Sequence, residues 1–378
     1  MKFNVPSKTL YSAVSSVSKV INSKNALTIL DNFLIELNDA DGVLTVTGSD
    51  LENSLTARIP VTEAEGSGRF CIGARRLVEL LREMPDQGIS FSINDTTLEI
   101  EIEYASGNYT LVAITGDEYP AFKPDPDEKE PISFTCSPSD LIKGIDNTIF
   151  AVGNDDLRPM MMGIFFDIKP DSITFVATDT RKLVRYICHN IAPGVEGSCL
   201  LPVKPATIIK NVFAKDESMT VTMNSKNATL ESKSFTFKCC FLNGRFPDYN
   251  RVIPKNNPNT LTADRISFLT AVRRVGVFVD PAFGLEKFRI TPERVLLKSS
   301  DQGNCTSARE QVACSFTGQE LTIGFSAPYL IEILNTIPTE DIIVELSDPG
   351  RPGLFRPTED AEGTELLMLL MPMTVGEF

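Results

Sequence analysis

The chain carries few residues that could do covalent chemistry, and their spacing narrows the options further. It has one histidine, His189, and no tryptophan among 378 residues. A single imidazole nearly excludes His-based triads and sites built from several histidine ligands. Eight cysteines stand at 71, 136, 188, 199, 239, 240, 305 and 314, and no two form a CxxC pair. Most sit in apolar, strand-like runs, and adjacent Cys239 and Cys240 would point to opposite faces of a strand. This pattern predicts reduced structural thiols rather than a metal clip or a disulfide frame. The nearest candidates for a hydrolytic carboxylate pair are Asp155, Asp156 and Asp179. Acidic pairs in turns are usually solvated, so acid–base hydrolysis is the weakest reading. No catalytic residue, metal or cofactor is expected.

Charge distribution says more than charge total. The net charge of -14, taken alone, argues against nucleic acid as a partner. Six segments have helical spacing: 7–21, 74–84, 138–150, 204–216, 264–276 and 328–336. Together they hold twelve Lys or Arg against seven Asp or Glu, a net of +5, so the remainder carries -19. Solvated helix faces are the plain explanation. The sharper one is a helix-lined surface facing phosphates, with an acidic exterior that discourages binding elsewhere. The sixth segment, whose only charge is Glu332, departs from the trend.

The elements that would position such a surface recur along the chain. Phe3 and Val5 alternate as in a half-buried strand, and Leu10, Val14, Val17 and Ile21 follow at helical spacing, with Ser7 placed as an N-cap. The same pattern returns at Phe134 to Ile145 and at Leu261 to Val272, about one third of the chain apart each time. Each third holds two strand–helix–strands units; the hairpin at Asp41-Gly42 and the strands at 89–93, 97–104 and 108–114 complete the first. A proline-rich acidic linker at 118–131 and a break at 252–258 separate the thirds. The predicted fold is α+β: three similar domains, 1–125, 126–254 and 255–378, with antiparallel sheets outside and helices inside. No apolar run reaches membrane-spanning length and no signal peptide is visible, so a cytoplasmic protein is expected.

Several runs within this plan are distinctive: Ala177-Thr178-Asp179, Gly244-Arg245-Phe246-Pro247-Asp248-Tyr249, Arg251-Val252-Ile253-Pro254 and Met371-Pro372-Met373. With the six-unit plan they resemble the bacterial sliding clamps, the beta subunits of DNA polymerase III, from end to end. The resemblance implies a non-catalytic processivity factor: a head-to-tail homodimer closing into a ring that holds duplex DNA topologically, without reading sequence. Its implied partners are duplex DNA, the polymerase III catalytic subunit, a clamp loader and other proteins bearing a clamp-binding peptide.

Carried over position by position, the resemblance implies a peptide cleft of Arg158, Met161, Thr178, Thr180, Leu183, Pro247, Arg251, Val252, Leu369, Met371, Pro372 and Met373. Leu183, Val252, Leu369 and Met371 would be apolar anchors, and Arg158 and Arg251 would hold carbonyls or acidic groups at the rim. The competing structural reading is that Leu369 to Met373 is a final core strand. Lys24, Arg75 and Lys204 are the implied DNA contacts, and Val277 and Phe278 the apolar dimer interface, with strand 108–114 pairing edge to edge. The chain departs from the family at Thr178-Asp179-Thr180-Arg181-Lys182-Leu183, where Thr-Asp-Gly-His-Arg-Leu is usual, and this adds positive charge near the cleft. Pro159-Met160 replace tyrosines, Thr374 replaces a basic residue, and Gly376-Glu377-Phe378 extend the end. The rival of a different class is a peptide-binding scaffold that never meets DNA.

Overall fold

The computed structural model describes residues 1–123 and 130–376. Pro124 and Pro126 of the expected linker, and Glu377 and Phe378 of the extended end, lie outside the described residues. The chain forms two compact units: Met1–Ile142 with Lys204–Phe241, and Lys143–Val203 with Leu242–Phe378. The middle third therefore contributes strands to both.

Among the described residues six α-helices appear where the spacing predicts them: α1 (Ser7–Val17), α2 (Ala74–Glu83), α3 (Pro138–Thr148), α4 (Val203–Val212), α5 (Arg265–Gly276) and α6 (Ala327–Thr336). In α1, Leu10, Ala13, Val14 and Val17 form the buried stripe, and the helix ends four residues before the expected Ile21. Ser7 is not the cap. It lies inside the first turn, buried, where its hydroxyl donates to the Pro85 carbonyl at 2.7 Å and accepts from the Gln87 amide at 3.1 Å. Pro6 takes the cap position without a side-chain bond. Helix α5 has the cap that α1 lacks: Asp264 accepts from the Ser267 amide at 2.7 Å. These shorter helices hold ten Lys or Arg and five Asp or Glu, so the net of +5 is unchanged.

All sheets are antiparallel. The first unit has a five-stranded sheet, Thr62–Glu65, Lys2–Pro6, Gly88–Ile93, Glu99–Tyr104 and Gly107–Val112 in spatial order. It also has a nine-stranded sheet: Ile114–Thr115, Gly68–Gly73, Asn32–Asn38, Val43–Ser49, Asn53–Pro60, Phe235–Cys240, Asn227–Glu231, Met219–Met223 and Ile132–Cys136. The second unit has its own nine-stranded sheet: Gly197–Pro202, Gly163–Lys169, Ser172–Thr178, Lys182–Cys188, Thr364–Leu370, Gly353–Pro357, Asp341–Leu346, Asn259–Asp264 and Ser315–Thr317. Its four-stranded sheet runs Thr306–Ala313, Arg294–Asp301, Leu285–Thr291 and Leu321–Ser326.

One expected strand is two. Residues 108–114 divide at Ala113, which is buried and whose amide donates to the Leu98 carbonyl at 2.8 Å. That bond turns the chain, so Gly107–Val112 ends one sheet and Ile114–Thr115 starts another. Among the cysteines, 71, 136, 188, 199 and 239 are buried thiols; burial pushes the Cys71 thiol up to about 11. Among the described residues no helix is long and apolar enough to cross a membrane.

Candidate functional site

The expected cleft residues all lie in the second unit, and two of them, Leu183 and Leu369, belong to one buried apolar cluster. Strand Lys182–Cys188 pairs with Thr364–Leu370, and Leu183 falls directly opposite Leu369. Both therefore point to the same face. They are buried with Val176, Leu200, Phe246, Tyr249, Leu354 and Leu367, and Met160, Phe165, Leu242 and Ile253 pack against them. Phe165 stacks on Phe246 with centroids 4.8 Å apart.

This geometry divides the expected anchors. Leu183 and Leu369 are floor, sealed by packing and closed to direct ligand contact. Val252 and Met371 remain 53% and 41% exposed and are the two anchors open to solvent. The core-strand reading of Leu369 to Met373 holds only as far as Leu370. Met371 leaves the strand while its amide still donates to the Arg181 carbonyl at 2.8 Å, and the Met373 amide donates to Gly324 at 2.8 Å. Val375 then passes over Gly324, so Met373 to Val375 lie against strand Leu321–Ser326.

Two polar turns frame the floor. In the first, Asp155 accepts from the Leu157 amide at 3.0 Å and pairs with Arg158 at 3.8 Å. Arg158 Nη1 donates to Thr180 Oγ1 at 3.3 Å, which ties this turn to the 178–182 hairpin. In that hairpin Thr178 Oγ1 donates to the Lys182 carbonyl at 2.7 Å and accepts from the Thr180 amide at 3.1 Å. Asp179 accepts from the Arg181 and Lys182 amides, both at 2.9 Å. Asp155 and Asp179 thus serve as turn formers, each occupied by backbone donors. Thr180 sits at φ +78°, a left-handed conformation that a β-branched residue resists. In the second turn Gly244, at φ +136°, brings the chain past Met160, and Arg251 pairs with Asp248 at 3.0 Å beside exposed Pro247. The Tyr249 hydroxyl donates to Asp167 at 2.9 Å; burial and the Asp167 carboxylate push its pKa up to about 12.

The added positive charge sits on Arg181, which stands where histidine is usual and is exposed, whereas Lys182, where arginine is usual, is turned inward. Its ammonium is buried, paired with Glu332 at 2.6 Å and Asp179 at 3.3 Å, and lies 4.3 Å from the Tyr329 ring centroid. Sequence reasoning passed over Leu157, which is 90% exposed beside Arg158. Its signal was a lone apolar residue in the polar run Asn154-Asp155-Asp156-Leu157-Arg158.

The expected phosphate contacts lie in the first unit. Lys24 is exposed in the loop after α1, and exposed Arg75 on α2 pairs with Glu79 at 2.9 Å. Lys204 differs. It donates to the Val20 carbonyl, to Asn22 Oδ1 at 2.6 Å and to the buried Asp50 carboxylate, which uses all three of its protons. At the expected interface Val277 and Phe278, just past α5, are 77% and 38% exposed.

Three family models cover the chain in order: the N-terminal domain of the DNA polymerase III beta subunit matches residues 1–123, the central domain 135–248 and the C-terminal domain 250–373. A beta sliding clamp of Pseudomonas putida is 23% identical over 99% of this chain and 100% of its own. That of Escherichia coli K12 is 24% identical over 99% of this chain and its whole length. A solved sliding clamp of Pseudomonas aeruginosa bound to griselimycin superposes with a TM-score of 0.92 at 22% identity, covering 99% of this chain and 100% of that one.

Proposed function

Because the chain belongs to the DNA polymerase III beta-subunit family, the bacterial sliding clamps, we propose that two copies close head to tail around duplex DNA and recruit partners through the Arg158–Met371 cleft. Family membership makes the protein a non-catalytic processivity factor for DNA polymerase. In this reading residues 1–125, 126–254 and 255–378 act as three domains whose cationic helices face the duplex and whose sheets form the outer wall. Lys24 and Arg75 approach phosphates, whereas Lys204 contacts phosphate only by giving up an internal bond. Polymerase and loader segments place apolar side chains on Val252, Met371, Pro372 and Met373, with Arg158, Arg251, Met161, Thr178 and Thr180 as rim.

The observation that carries the ring is a pattern in the sheets. Each nine-stranded sheet joins five strands to four across one seam, Asn53–Pro60 with Phe235–Cys240 and Lys182–Cys188 with Thr364–Leu370. The five-stranded sheet ends on Gly107–Val112 and the four-stranded sheet on Thr306–Ala313, both unpaired on one side among the described residues. They are the remaining five and four. Joining them between two copies builds a third kind of seam like the other two and leaves neither edge open.

The test uses a compatible clamp loader, ATP and a nicked circular plasmid. Retention on the circle through gel filtration in high salt, with release on linearisation, is the expected result, because salt screens ionic contacts whatever the DNA shape. Equal behaviour on circle and line refutes topological holding. No retention on either, with a loader proven on its own clamp, favours the scaffold reading. Griselimycin, found bound to the Pseudomonas aeruginosa relative, is a probe for the cleft: substitution of Met371 by Glu should weaken it and leave plasmid retention intact.

A further inference from the structure

We propose that Lys204 is a positioning residue for the duplex rather than a phosphate contact: its ammonium pins the loop that carries Lys24 and so fixes where Lys24 meets the phosphates. This rests on the reading that the cationic helices face the duplex, and it names what holds one of the contacts.

The loop has little of its own to hold it. Val20 and Leu30 are buried, but none of the residues 21 to 29 between them is. Among the described residues no backbone amide from Asn22 to Leu27 donates to a backbone carbonyl. A segment with neither a ladder nor an apolar anchor opens at low cost, so side chains must do the fixing. Asn25 Nδ2 donates to the Asn22 carbonyl at 3.1 Å and to Asp31 at 2.7 Å, which closes the loop on itself. Lys204 then ties the loop to α4 through the Val20 carbonyl and Asn22 Oδ1. Lys19 adds a longer bond, 3.4 Å, to the Asn211 carbonyl near the other end of that helix.

Two features keep the Lys204 ammonium where it is. Lys204 stands in the first turn of α4, where a cation opposes the helix dipole and needs an anion beside it. That anion, Asp50, has a side chain only 5% exposed, and it also accepts the Glu52 and Asn53 amides that shape the turn at 50–53. Moving the ammonium to a phosphate would leave this carboxylate buried and uncompensated, and would release the loop from helix and turn together. Lys24 is the opposite case. Lys8 and Arg75 pair with Asp86 and Glu79, whereas exposed Lys24 forms no ion pair among the described residues. It lies two residues past Asn22, so its Cα stays within about 7 Å of the pinned one, and holding Asn22 confines the Lys24 ammonium. A loop ordered beforehand loses less freedom when the duplex arrives.

Four full-length proteins test this: the parent, Asn22→Ala, Lys24→Ala and the double variant. Asn22→Ala removes a tie, changes no charge and leaves Lys204 on Asp50, so the fold is kept. Anisotropy of a short fluorescent duplex in low-salt buffer should show Lys24→Ala weakened about threefold, with the slope of log affinity against log salt reduced by about one. Asn22→Ala should weaken binding about twofold or more, and the double variant should bind as Lys24→Ala does. Trypsin should nick after Lys24 faster in Asn22→Ala than in the parent. A Lys204 that itself touched phosphate would gain a free proton from Asn22→Ala. Equal or tighter binding, unchanged nicking, or losses that add in the double variant would therefore each overturn the proposal. Lys204→Met with Asp50→Asn removes the cation without stranding its partner. Added to Lys24→Ala, this pair should leave the salt slope unchanged, and a further drop of about one overturns the proposal. A parent that does not bind duplex, or Lys24→Ala binding as the parent does, removes the DNA-facing loop itself, which separates the two failures.

Discussion

Glu286 provides the sharpest energetic test of the second unit. Strand Leu285–Thr291 alternates, and Glu286 falls on the core side with Phe288 and Ile290, fully buried. Neither carboxyl oxygen has a hydrogen-bond partner. Nearby Glu310 is engaged by Arg274 at 2.9 Å. Burial first, and then the Glu310 charge, push the Glu286 pKa from 4.5 up to about 9. Between those values the native state holds a proton that the unfolded chain has released. Stability therefore falls as pH rises through that window, and this group contributes no slope below it. One proton corresponds to about 1.4 kcal/mol per pH unit, so native Glu286 costs about 3 kcal/mol at pH 7 relative to its acid limit. Glu286→Gln keeps the shape of the neutral acid and removes the titration. Urea unfolding of parent and variant across pH 4.5 to 8.5 should show curves that meet at the acid end and diverge by about 2–3 kcal/mol near neutrality. Parallel curves, or a variant less stable at pH 7, would refute the assignment of a neutral buried carboxyl.

Three further outcomes follow from the geometry. Lys204→Ala strands the buried Asp50 carboxylate, and chemical denaturation should show a loss of about 1–3 kcal/mol in the first unit, whereas Arg75→Ala should change stability by less than about 0.5 kcal/mol. Thr180→Gly relieves the left-handed strain at φ +78° but loses the 3.3 Å bond from Arg158 and adds unfolded-state freedom, so a net gain of about 0.5–1 kcal/mol is expected from the melting temperature. Leu369→Ala should cost about 2–5 kcal/mol by opening a cavity, while Val252→Glu should leave stability nearly unchanged and abolish binding of a fluorescent clamp-motif peptide. If Val252→Glu binds like the parent, the accessible wall of the cleft lies elsewhere.

The fold was legible where the pattern is local and repeated. The stripe Leu10, Val14, Val17 and the Asp41-Gly42 hairpin announce their elements because periodicity and turn chemistry act over a few residues. The proposed cleft was legible only through the family runs. Its floor forms when Leu183 meets Leu369, a pairing 186 positions apart in sequence that no short window contains. For the same reason the sequence could not say that Leu183 is sealed while Val252 is open, or that Lys204 would spend its charge on Asp50. Lys182 makes the point most clearly: read along the chain it is a cation of a binding loop, yet its ammonium is buried against Glu332, from α6. Lys287, Lys298 and Arg309 are unremarkable apart in sequence and become a row only once the strand register sets them side by side. Register is thus the quantity that separates what this sequence states from what its structure adds.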